Sequence, residues 1–100
     1  MSQSFDEIYQ HSIDDPEGFW GEIAKDIVWT KPWDTVLDKS NPPHYRWFQG
    51  GELNTCYNCV DRHVDEGRAD QAALIYDSPV TDTIKSYSYL ELQGEIALFA

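Results

Sequence analysis

Positive charge is the scarcest commodity in this sequence. Seven Lys and Arg face 18 Asp and Glu, a formal net charge of −11. A polyanion is repelled by such a field, which argues against nucleic acid and anionic membrane surfaces as partners. Long apolar runs are missing too, and no stretch approaches the ~18 residues of a membrane span. The opening MSQSFDEIYQ lacks the basic and apolar regions of a secretory signal. Two cysteines three positions apart make no disulfide framework, because side chains on neighbouring helical turns rarely reach disulfide geometry. A reducing, cytoplasmic setting is the expectation.

Recognisable catalytic patterns are equally sparse. Gly50-Gly51 lacks the Lys and the Ser or Thr of a Walker sequence, and no G-x-G-x-x-G follows a strand. No Ser-His-Asp set or carboxylate pair stands at a specific spacing. What is present is a folding composition of 41% apolar and 14% aromatic residues in 100 positions. A disordered acidic tail would hold few aromatics.

Periodicity supplies the elements. Phe5, Ile8, Tyr9 and Ile13 mark one helical face. Asp15-Pro16-Glu17 reads as the start of a second helix, with a capping Asp and Pro at the first position, and Phe19, Trp20, Ile23, Ala24 and Ile27 form its face. Val36-Leu37 and Tyr45 to Phe48 suit short strands on either side of a Ser-Asn-Pro-Pro turn. Gly50-Gly51 is a tight bend. Asn54 caps a third helix reaching about Glu66, with Gly67 as its stop. AALIYD and TIKSYSY pair across SPVTD, and Ser88-Tyr89-Leu90-Glu91 is a capping box opening a last helix. No stop signal follows that helix before Ala100, so the chain reads as truncated.

Cys56, Cys59 and His63 invite a metal or redox reading. Structural zinc takes four ligands, and His11 and His44 supply no second pair. At spacings of three, four, seven and eight, Cys56, Cys59, Val60, His63 and Val64 share one helical face, so the cysteines are expected inside, as packing. Adjacent helical residues diverge, so Asp61, Arg62 and His63 do not converge on one atom. The four tryptophans, Trp20, Trp29, Trp33 and Trp47, are expected as core rather than as a stacking platform.

One family carries these stretches in the same order. DPEGFW, the SNPP turn, WFQGGELNTCYN with DRHV, AALIYDSPVT and SYSYLEL resemble the N-terminal portion of AMP-forming short-chain acyl-CoA synthetases, of the acyl-adenylate-forming superfamily. HSIDDPEGFW and YDSPVT look most like propionyl-CoA synthetase, with acetyl-CoA synthetase next. The resemblance implies an α+β fold: a small helical and irregular cap, then an antiparallel β-hairpin and a helix, as a fragment of a larger α/β enzyme. Residues 1–67 would be the cap, and 68–100 the beginning of the large AMP-binding domain. The implied enzyme is a propionate–CoA ligase-like acid–thiol ligase using ATP, CoA and Mg, with propionate or acetate as the small carboxylate. None of the family's catalytic or cofactor-binding motifs falls within these residues, so the piece alone is expected to be inactive. Trp47, Phe48, Asn54, Arg62, Leu92 and Phe99 are expected to pack against the remainder of the chain, or in a homodimer of the isolated piece. The residues alone leave open another reading, a self-contained acidic interaction module or small metal-binding module.

Overall fold

A computed structural model describes residues 3–100. The fold is α+β, with helices and two separate antiparallel hairpins. The chain divides into two compact units, Met1–Asn54 and Thr55–Ala100.

In the first unit, helix α1 (Phe5–Asp14) opens on a reciprocal cap. The Glu7 N–H donates to Ser4 Oγ at 3.3 Å, and the Ser4 N–H donates to the Glu7 carboxylate at 2.8 Å. Asp15 closes one helix and starts the next. Its N–H donates to His11 O at 3.0 Å, and its carboxylate accepts the Gly18 N–H at 3.0 Å. Helix α2 (Pro16–Ile23) has Pro at its first position, as the sequence suggests, and tightens into a 3₁₀ turn over Ala24–Asp26. The apolar face read through Ile27 therefore does not continue as α-helix; Ile27 is extended. The Ala24 carbonyl instead accepts the Ile27 N–H at 3.2 Å and the Trp29 indole N–H at 2.8 Å.

Strands β1 (Thr35–Asp38) and β2 (Arg46–Gln49) pair antiparallel on either side of the Ser-Asn-Pro-Pro turn, with Leu37 opposite Trp47. Backbone bonds from Thr30 and Lys31 to Glu52, at 2.8 and 3.0 Å, extend the pairing outward. Phe48 and Gly50 adopt positive φ of 49° and 81°, which turns the chain sharply after β2. A Cβ on Gly51 would lie 2.7 Å from the Trp29 ring, so glycine is what lets the bend and the indole meet. Trp29, Trp33 and Phe48 form a cluster with ring centroids 5.0–5.5 Å apart. Ala24 and Leu37 are the buried apolar residues here. Trp20 and Trp47 meet edge to face at 6.4 Å, yet both remain more than two-fifths exposed. The expectation of four core tryptophans thus holds for the half-buried Trp29 and Trp33 and is corrected for the other two.

The second unit begins with a helix over residues 55–68, here α3. Two stretches of it, Tyr57–Asp61 and Val64–Arg68, are wound as wide π-type turns. Gly67, at φ 86°, breaks it at the stop expected from the sequence. Strands β3 (Ala72–Ser78) and β4 (Thr83–Ser88) form the second hairpin, with Leu74 opposite Tyr87 and Tyr76 opposite Lys85. Helix α4 (Tyr89–Phe99) opens on the Ser88–Glu91 capping box. Its first N–H groups reach back to the turn after α3: Tyr89 to Gln71 O and Leu90 to Ala69 O, each at 3.1 Å. Val60 is the buried apolar residue of this unit.

Candidate functional site: the Cys-x-x-Cys helix

The polar residues of α3 are the chemically suggestive group, and each is held by a different neighbour. The Cys56 thiol lies 3.9 Å from one oxygen of Asp61, as a weak S–H donor. The other Asp61 oxygen accepts the Gln93 side-chain N–H at 2.7 Å, which ties α3 to α4. The Arg62 guanidinium reaches Asn58 at 3.3 Å and Glu66 at 3.6 Å along its own helix. His63 Nδ1 faces the Arg68 guanidinium at 2.6 and 3.1 Å. A guanidinium has only donors, so Nδ1 is the acceptor. The His63 ring lies 4.6 Å from that of Tyr89. Arg68 also binds Glu66, and this hydrogen bond, with the nearby Arg62 charge, draws the Glu66 carboxyl below its ordinary range. The Tyr57 hydroxyl donates to Asp65 at 3.2 Å, which pushes the phenol above its ordinary value.

Asp61, Arg62 and His63 therefore face Gln93, Asn58 with Glu66, and Arg68 with Tyr89. They do not converge on a common point, as expected for adjacent helical positions. The cysteines depart from expectation, because both are exposed and Val60 takes the inner position. Helical spacing puts residues on one side of a helix but does not say how much of that side is covered, and here it is covered only around Val60.

Among the described residues, no group of three or more His, Cys, Asp or Glu is placed to hold a metal ion. The cationic and glycine-rich positions of the described residues have other partners. Arg62 and Arg68 are engaged with Glu66, and the Gly50-Gly51 bend is filled from one side by Trp29. No step of nucleotide chemistry is assigned to them. No helix among the described residues is long and apolar enough to cross a membrane.

The residues expected at a packing surface fall in both units. Trp47 and Phe48 are neighbours on β2, with rings 6.0 Å apart. Phe48 helps line an apolar groove of about 210 Å³ with Trp20, Ile23, Ala24 and Ile27. Asn54 immediately precedes α3 and is exposed; Arg62 is half-buried on it. Leu92 lines a groove of about 330 Å³ between the second hairpin and α4, with Leu74, Tyr76, Tyr87 and Glu95. Phe99 stands apart at the end of α4, 96% exposed. The sequence reading missed the Ser4–Glu7 cap, although its S-x-x-E signal is plain. It also missed the Gln93–Asp61 and Arg68–His63 bonds; the first, 32 positions apart, has no local signal.

Comparison with known proteins places these features in context. Residues 5–59 match the family described as Acetyl-coenzyme A synthetase N-terminus. The chain is 47% identical over 89 residues to human Acyl-CoA synthetase short-chain family member 3, mitochondrial, covering 89% of this chain and 13% of the human protein. It is 42% identical over 99 residues to Acetyl-coenzyme A synthetase of Cupriavidus necator, covering 94% of this chain and 15% of that protein. The chain thus spans 13–15% of the length of these curated relatives.

Proposed function

The chain belongs to the acetyl-coenzyme A synthetase N-terminus family, and on that premise we propose that it is the N-terminal scaffold of an AMP-forming short-chain acyl-CoA synthetase. The observation that carries this reading is the 47% identity to a short-chain acyl-CoA synthetase across 89% of the chain. In the parent enzyme the carboxylate of propionate, or of acetate as the alternative substrate, attacks the α-phosphate of ATP. Acyl-AMP and pyrophosphate result, and the CoA thiol then displaces AMP. ATP, CoA and Mg belong to that parent reaction, and no residue here is assigned to bind them. Residues 1–67 serve as the cap and 68–100 as the start of the large AMP-binding domain. Trp47, Phe48, Asn54, Arg62, Leu92 and Phe99 pack against the remainder of the chain. In its absence, the apolar members of that set support self-association. The parent works in the cytoplasm; the family member 3 relatives are named as mitochondrial.

The test is direct. The 100-residue chain, mixed with propionate, ATP, Mg and CoA, is expected to release no AMP, whereas the parent releases it. The kcat/KM ratio for propionate over acetate in the parent then decides the substrate. AMP release by the short chain alone would overturn the scaffold reading. The alternative reading is a small metal-binding module, in which Cys56 and His63 would have to exchange their contacts to Asp61 and Arg68 for an ion. Stoichiometric zinc in the purified chain, lost on Cys59→Ala, would favour it.

A further inference from the structure

Helix α1 has no buried residue, although its sequence is built to bury one face. Phe5, Tyr9 and Ile13 are 78%, 56% and 55% exposed. At about 100° per residue these three line one stripe, and Ile8 sits at its margin beside His11. That margin is the one α2 covers, for the His11 ring lies 5.4 Å from Phe19. Phe5 and Tyr9 stack at 6.1 Å with an interplanar angle of 8°, which presents a flat aromatic anchor. Asp6 and Gln10 form the opposite margin.

Charge says what could cover the stripe. Asp6, Glu7, Asp14, Asp15, Glu17 and Glu22 all precede the first cation of the sequence, Lys25. Nucleic acid and anionic bilayers are repelled by so acidic a segment. A second copy docking on the same face by two-fold symmetry would bring two such acidic segments together. The complementary surface is an apolar groove, one helix wide, rimmed by Lys and Arg.

We infer that α1 is a helix-in-groove ligand, with Phe5, Tyr9 and Ile13 as anchors, for a basic-rimmed apolar groove in the remainder of the parent synthetase chain. This rests on the scaffold reading above. It is supported by the length of the curated relatives, of which this chain spans 13–15%.

Hydrogen exchange over α1, measured in the full parent protein and in the 100-residue chain, tests it. Amides of residues 5–14 are expected to exchange at least ten-fold more slowly in the parent. Tyr9→Gln with Ile13→Gln, both at exposed positions, should return exchange to the rate of the short chain while far-UV circular dichroism stays unchanged. Gln10→Lys should do the same at low salt, with protection recovering as NaCl screens the added charge. Equal exchange in the two proteins, or Gln10→Lys docking as well as the wild type at low salt, overturns the inference. So does protection in the short chain that rises with its own concentration, which would assign the stripe to a second copy. AMP release is measured on the same parent sample. Release with an unprotected α1 overturns the docking alone; no release with a protected α1 overturns the enzymatic reading and leaves the docking standing.

Discussion

Replacing Gly51 with alanine puts a methyl carbon where the Trp29 ring already lies. The added Cβ would sit 2.7 and 3.1 Å from two indole carbons and 3.2 Å from the Phe48 carbonyl oxygen. Carbon pairs are comfortable at about 3.5–4.0 Å, so the indole must retreat by most of an ångström. It is poorly free to do so. Its N–H is fixed to Ala24 O at 2.8 Å, and its ring is packed by Trp33 and Phe48. Overpacking of this kind costs about 1–3 kcal/mol, and the double constraint on Trp29 argues for the middle of that range, about 2 kcal/mol. The cost is specific to one neighbour, which makes it separable. Trp29→Leu removes the obstructing ring atoms, so Gly51→Ala in that background should lose only the part due to the Phe48 carbonyl, about half the original effect. Urea unfolding of the four chains of the cycle, followed by far-UV circular dichroism, gives the coupling directly. A coupling of at least ~0.5 kcal/mol is expected for residues in contact. Additive single-site effects, or a Gly51→Ala chain within ~0.5 kcal/mol of wild type, would refute the account of the bend.

Asp15→Ala should lower stability by about 1 kcal/mol in the same unfolding assay, because it removes the acceptor for the Gly18 N–H at the start of α2. Glu7 and Glu91 have carboxyls drawn below their ordinary values, first by the backbone N–H groups of Ser4 and Ser88 and then by the serine hydroxyls. Their folded values lie below the unfolded ones. The helical content they support should therefore be complete above the ordinary carboxylate range and fall as pH drops through the folded values. A pH titration of ellipticity should show that loss, and Glu7→Gln with Glu91→Gln should flatten it. Cys56 and Cys59 are both exposed, so both should react with a water-soluble disulfide reagent in the native chain. A native chain that reacts only after urea is added would restore them to the interior.

Most of what was legible is local, and the Ser4–Glu7 box is the local feature that went unread. The Asp15-Pro16 start of α2, the strands on either side of Ser-Asn-Pro-Pro, the stop at Gly67 and the Ser88–Glu91 box all involve residues within a few positions of one another. Turn and cap chemistry fixes such features without reference to the rest of the molecule. The misreadings share a different cause. The helix read through Ile27 stops at Ile23 and tightens into a 3₁₀ turn, whose Ala24 carbonyl accepts both the Ile27 N–H and an indole five positions along. The cysteines stay exposed because the side of α3 they share with Val60 is covered only at Val60. Neither event is encoded in an apolar pattern. Of the candidate site, only the divergence of Asp61, Arg62 and His63 could be read from sequence, since it follows from helix geometry alone; the partners that hold them apart could not.

The contrast between capping and burial carries the functional argument further than any single motif. Helices α1 and α4 have their caps in place, yet neither contains a buried residue, and Phe5, Leu98 and Phe99 are 78–96% exposed. Helices of ten or eleven residues are marginal in water on propensity alone and draw their stability from a packed apolar face. Both helices have only partial support, α1 from Phe19 of α2 and α4 from the second hairpin and Asp61 of α3, so on the scaffold proposal their exposed apolar residues are the ones left for the remainder of the parent to cover. The same logic accounts for the chemistry of α3. Its Asp, Arg and His side chains hold one turn to the next and α3 to α4.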